Sequence, residues 1–257
     1  MNTDTLNSIR HELRLHADPS RALKLQRFFK TGPGEYGEGD RFLGIRVPDT
    51  RRVARKYRDI PLKEVVTLLH SAFHEERLAA LILLVHQYQK GSLAEQTSIY
   101  NTYLENREFI NNWDLVDTSA EHIVGAYLKD RSRDPLYGLA QSASLWERRI
   151  AILATFCFIK SGEFDETLKI AESLLHDKEM LIHKAVGWML REVGKRNERV
   201  EVLFLDRHHR HMPRTMLRYA VEKFPDEIRR RYVRGARKAS KTHAHTEHPT
   251  TSDQRAP

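Results

Sequence analysis

His183-Lys184-Ala185-Val186 stands near the start of a helix-periodic segment, and Arg148-Arg149-Ile150-Ala151 and Glu76-Arg77-Leu78-Ala79 hold the same place on two earlier segments. Each puts a basic residue just before a small or apolar pair. Working outward from these turns, amphipathic helices begin near Phe73, Asn111, Leu145, Leu181 and Pro213, a spacing of roughly 32 to 38 residues that matches a helical-repeat period. Apolar residues recur at three- and four-residue steps, as in Leu78, Leu81, Ile82, Val85 and in Leu115, Ile123, Val124, Tyr127, which is the pattern of helices with one buried face. Strand-like alternation is hard to find. The spacing predicts an all-α fold of HEAT-like helical hairpins stacked into a curved solenoid, with the repeated second helices lining a concave face.

The N-terminal helical region that Arg21 to Lys30 continues stops at Lys30-Thr31-Gly32-Pro33-Gly34-Glu35-Tyr36-Gly37-Glu38-Gly39-Asp40, where glycine and proline density forbids a helix. From Ser240 onward no periodic apolar residue remains to offset the entropy of ordering. One domain over 1–239 and a disordered tail over 240–257 are therefore expected. The chain of 257 residues carries 43 Lys and Arg against 35 Asp and Glu, a net charge of +8, which favours a polyanionic partner. Asp206 to Lys238 alone holds 11 basic against 4 acidic residues, a local +7, so the concave face should be basic toward its C-terminal end.

Cys157, the lone cysteine, lies in the apolar run Ala154-Thr155-Phe156-Cys157-Phe158-Ile159. It excludes an intramolecular disulfide, suits a reducing compartment and reads as core. Met1 to Thr5 has neither a basic nor an apolar run, and no window approaches the uninterrupted apolar length of a membrane span, so a soluble, cytoplasmic protein without a membrane partner is expected.

The segment Phe109-Ile110-Asn111-Asn112-Trp113-Asp114-Leu115-Val116-Asp117-Thr118 carries the most chemistry. Asn111 or Asn112 can cap a helix whose first turn holds Asp114, where a carboxylate suits the helix dipole. Trp113 and Asp117 are four apart and share a helical face; an aromatic plane beside an anion is a place for a cation. Trp188 occupies a comparable early position on its own helix, and Arg149 sits in the first turn of the helix between. These residues can meet in one concavity, or the two tryptophans can be core and Arg149 can pair with a carboxylate. Gly32-Pro33-Gly34 lacks the ending of a phosphate loop, and His208, His209 and His211 lack metal-ligand spacing, so neither a metal nor an organic cofactor is expected.

Four strings, Phe42-Leu43-Gly44-Ile45-Arg46-Val47-Pro48, Asn112-Trp113-Asp114-Leu115-Val116-Asp117, Leu145-Trp146-Glu147-Arg148-Arg149-Ile150-Ala151-Ile152-Leu153 and Lys184-Ala185-Val186-Gly187-Trp188-Met189-Leu190-Arg191-Glu192, resemble the AlkD-type DNA alkylation repair proteins in kind and order, over about residues 6 to 235. The resemblance implies a DNA glycosylase of base excision repair, a monomer that hydrolyses the N-glycosidic bond of cationic alkylated purines such as 3-methyladenine and 7-methylguanine in double-stranded DNA. It implies that Asp117 is catalytic, that Arg149 contacts the DNA backbone beside it, and that Trp113 and Trp188 pack against the lesion's deoxyribose, with the lesion left stacked in the duplex. Phe28 takes the place of a further family aromatic, a tyrosine in the best-known member, and so lacks its hydroxyl. The loop from Gly32 to Asp40 is longer than in that member. Phosphate contacts are expected from Arg149, Lys184, Arg191, Arg214 and Arg218, with the protein at the nucleoid when bound. Family members that merely bind distorted or branched DNA lack the matching aspartate or arginine, so Asp117 and Arg149 favour the enzyme; a protein-interaction scaffold would leave the basic C-terminal third unexplained.

Overall fold

In a computed structural model, which describes residues 3–233, the helices expected near Phe73, Asn111, Leu145, Leu181 and Pro213 begin at His74, Trp113, Leu145, Met180 and Arg214. The order is α1 (Thr3–Arg14), α2 (Pro19–Phe28), α3 (Val47–Lys56), α4 (Leu62–Leu69), α5 (His74–Lys90), α6 (Leu93–Glu105) and α7 (Trp113–Ala120). A π turn, Glu121–Gly125, then leads from α7 into α8 (Ala126–Leu128). There follow α9 (Asp134–Ala140), α10 (Leu145–Ala154), α11 (Phe156–Lys160), α12 (Asp165–Ser173), α13 (Met180–Gly194), α14 (Glu198–His208) and α15 (Arg214–Ala220). The fold is all-α: no strand occurs among the described residues, only an isolated bridge between Arg41 and Phe73. No helix among them is long and apolar enough to cross a membrane. The expected tail over 240–257 lies outside the described residues.

The chain divides into two compact units, one up to Glu166 and one from Thr167 onward. In the first, α3 packs on α5, α5 on α7 and α7 on α10, while α4 backs α5 and α9 backs α10. The ladder is held by the periodic apolar faces, with Leu78, Leu81, Leu115, Val116, Ile150 and Ile152 all buried, as the three- and four-residue spacing requires. Cys157 is half-buried rather than in the core. Its helix, α11, is short and turns Phe158 and Ile159 inward, which leaves the thiol on its flank. In the second unit α13 packs on α14 and α15, and a β-carbon at Gly187 would stand 2.4 Å from the Met216 carbonyl oxygen. Those two helices, α13 and α15, therefore touch backbone to backbone.

The first turn of α5 is unusual, because its polar residues His74, Glu75, Glu76 and Arg77 are all buried. Buried charge is tolerated only where partners replace water. The Glu75 carboxylate accepts the backbone N–H groups of Leu43, Gly44 and Ile45 at 2.9, 2.8 and 3.1 Å. Glu76 accepts Arg10 Nε and Arg14 Nη2, each at 3.1 Å, which ties α1 to α5. Gly44 has φ 82°, and a β-carbon there would lie 2.1 Å from the Asp18 carbonyl oxygen, so this segment admits no larger residue at that point. Removing the Glu75 carboxylate leaves three backbone donors without their acceptor. Glu75→Ala is expected to lower the unfolding free energy by about 3 kcal/mol, read from urea unfolding; an unchanged midpoint would show that the carboxylate does not hold this segment.

Candidate active site

Of the two asparagines before α7, Asn112 is the cap, its side-chain oxygen accepting the Trp113 backbone N–H at 2.9 Å. Its amide donates to Asp40 at 3.3 Å, so the helix start is fastened to the glycine-rich loop. Trp113 then stacks on Phe29 at 5.1 Å and meets the edge of Phe28 at 6.0 Å. Trp113, Asp114, Asp117 and Phe28 line one cavity of about 730 Å³, whose remaining wall is largely apolar and includes Leu25, Val47, Leu78 and Ile82. Phe28 is 64% exposed on a helix that buries none of its residues. Its ring stands at the lip rather than in the core.

Asp117 and Arg149 form a bidentate pair, Nε donating to Oδ1 and Nη2 to Oδ2, both at 2.8 Å. Arg149 is 5% exposed, whereas the Asp117 side chain keeps 19%. The fork fixes the plane of the carboxylate and leaves an edge of it open to the cavity. Burial pushes the Asp117 carboxyl above the usual carboxylate range; Arg149 opposes that rise and the charge of Asp114 adds to it. Arg149 thus pairs with a carboxylate, which is one of the sequence alternatives, and that carboxylate is Asp117.

Behind this pair lies a network whose long-range contacts no local spacing encodes. His74 on α5 bonds through Nδ1 to Asp40 and through Nε2 to Asp114, each at 2.8 Å. Arg77 donates to Asp40 at 2.8 Å and to Asn111 at 3.2 Å. The His74 ring stacks on Phe42 at 4.4 Å and tilts against Phe29 at 5.0 Å. Burial favours a neutral ring, but the two carboxylates, Asp114 foremost, outweigh it and push His74 up to about 9. Burial likewise raises Asp40, yet His74 and Arg77 overcome it and hold that carboxyl below its usual range. The glycine-rich loop delivers Asp40 to this network and places Tyr36 edge-on to Trp146 at 6.1 Å, with the phenol donating to the Phe28 carbonyl at 3.4 Å. The one signal in the sequence is a run of four charged or polar residues, 74–77, directly before the apolar run Leu78 to Val85.

The remaining expected residues belong to the second unit. Lys184, Trp188 and Arg191 are on α13, and Arg214 and Arg218 on α15. Trp188 is half-buried and donates Nε1 to Glu192 at 3.3 Å. Arg214 and Arg218 are exposed and Lys184 half-exposed. The Arg191 side chain is only 16% exposed and pairs with Glu222. The structure thus brings Phe28, Trp113, Asp117 and Arg149 together in one unit and carries the other five residues on the two packed helices of the other.

Residues 9–224 match the family model described as DNA alkylation repair enzyme. Among solved structures, a protein from Enterococcus faecalis titled a predicted DNA alkylation repair enzyme shares 17% identity with a TM-score of 0.63, over 82% of this chain and 98% of that one. No curated protein matches the chain.

The charged imidazolium has a consequence for stability. His74 sits at about 9 against an ordinary 6.5, so its contribution is fully present below the unfolded value and is lost as pH rises through about 9. Wild-type stability should exceed that of His74→Gln most below the unfolded value of 6.5, with the gap closing by at most about 1.4 kcal/mol per pH unit from there to about 9. Thermal unfolding of both proteins between pH 6 and 10 measures this. A gap of constant size across that window would mean that the fold does not raise the ring's proton affinity.

Proposed function

The chain belongs to the DNA alkylation repair family, and on that premise we propose that it is a DNA glycosylase releasing cationic alkylated purines, such as 3-methyladenine and 7-methylguanine, from duplex DNA. The observation that carries this reading is the carboxylate of Asp117, clamped by Arg149 and opening on a cavity beside the Trp113 ring. O-glycoside hydrolysis ordinarily takes two carboxyl groups, because the leaving oxygen needs a proton and the other face of the sugar needs a nucleophile or base. An N3- or N7-alkylated purine already carries positive charge. It departs as a neutral base with the bonding electrons, and no general acid is required.

What remains is to stabilise the oxocarbenium-like sugar and to orient a water, and one ionised carboxylate serves both needs. The water's oxygen bonds to the anomeric carbon, and its proton passes to Asp117 and on to solvent. Arg149 occupies one edge of the carboxylate with two N–H bonds, so the free lone pairs point in a fixed direction. This geometry lets Arg149 orient the carboxylate besides making any phosphate contact. Trp113 and Trp188 pack against deoxyribose, and Phe28 at the lip packs against the DNA. Lys184, Arg214 and Arg218 take phosphates, as does Arg191 once it exchanges Glu222 for one. A non-catalytic binder of distorted DNA has no use for a carboxylate held at a cavity in this manner.

Asp117→Asn is expected to lower the excision rate by about 10²–10³, measured by chromatography of free 3-methyladenine and 7-methylguanine released from methylated duplex DNA. Full excision by a folded Asp117→Asn protein refutes the assignment. Affinity for duplex DNA should fall steeply with salt, and Arg214→Ala or Arg218→Ala should each make the log–log salt slope shallower by about 1. Unaltered slopes in both variants would remove α15 from the DNA interface.

A further inference from the structure

Two carboxylates three residues apart on α7, Asp114 and Asp117, line the same cavity. Neighbouring like charges disfavour each other's ionised form, and the proposed chemistry needs Asp117 ionised. His74 faces carboxylate oxygens from both ring nitrogens at 2.8 Å, Asp40 on one side and Asp114 on the other. An ionised carboxylate only accepts, so a ring placed between two of them donates from both nitrogens and is an imidazolium. At 2% exposure, and wedged against Phe42 and Phe29, it has no room to turn away.

The groups facing this arrangement come from every surrounding element: Asp40 and Tyr36 from the loop, Arg77 and His86 from α5, Tyr103 from α6, His122 from the π turn, Arg51 from α3 and Arg149 from α10. Arg77 is bonded to Asp40 and Arg149 to Asp117, and His74 is the cation bonded to Asp114. Resting on the reading of Asp117 as the catalytic carboxylate, we propose that His74 is a positioning residue for the excision reaction: its imidazolium cancels the charge of Asp114, which keeps the neighbouring Asp117 ionised, and holds the first turn of α7 with Trp113 against α5. The catalytic carboxylate is thus supported from two sides, by Arg149 directly and by His74 through the residue one turn away.

The test follows Asp117 in two independent ways, by the acid limb of the single-turnover excision rate for 7-methylguanine and by carbon-13 NMR titration of its side-chain carboxyl. In His74→Gln both should move up by about one pH unit, the scale set by an uncompensated neighbouring charge. In the double variant His74→Gln with Asp114→Asn both should return toward wild type. Asp114→Asn alone keeps the ring and its bond to Asp40, and should move both to lower pH, so the proposal stays open to test if His74→Gln folds poorly. Activity that falls in these variants while the Asp117 titration stays at its wild-type position would overturn the proposal and leave the ring a purely structural part. Should Asp117→Asn retain excision, the glycosylase reading fails by itself, and the NMR titration still decides whether His74 governs Asp117.

Discussion

Four charged or polar side chains at the start of α5 are removed from water together, and each must find a partner contributed from elsewhere in the chain. Desolvation of an ion costs several kcal/mol unless opposite charge and hydrogen bonds offset it, so this one turn dictates where several distant segments lie. Glu76 draws in α1 through Arg10 and Arg14, and Glu75 draws in the backbone of residues 43–45. His74 and Arg77 reach the other way, to the glycine-rich loop and the start of α7. The apolar ladder supplies most of the burial, but it is non-directional; the fixed acceptors and donors of this turn give the first unit its registration.

The same principle continues into the cavity. Each carboxylate of the cluster meets a cation, Asp40 with Arg77 and His74, Asp114 with His74, and Asp117 with Arg149. Among the three, Asp117 is the one whose bonded cation comes from α10 rather than α5. Seating it beside a largely apolar wall raises its proton affinity, and in that same setting its charge is felt by a neighbouring cation more strongly than it would be in water.

Much of this was readable in the residues. Helix starts followed from apolar periodicity, and the shared face of Trp113 and Asp117 followed from their four-residue step, because both signals are local. The cap on α7 was narrowed to two asparagines, and the structure selects Asn112. Partners separated by long stretches of chain were not readable. His74 lies 34 residues from Asp40 and 40 from Asp114, and no local spacing encodes either contact. The loop over 32–40 was legible as a break in helix but not as the carrier of a buried anion. Cys157 was placed in the core because its neighbours are apolar, whereas α11 turns Phe158 and Ile159 inward in its stead.

Gly187 bears on charge as well as on packing. With the Met216 carbonyl where a side chain would begin, α13 and α15 run too close at this crossing to admit one. Lys184 and Trp188 on one helix therefore sit on the same closely packed pair as Arg214 and Arg218 on the other. Cationic side chains rooted on two helices packed this closely keep their backbone spacing however their tips swing.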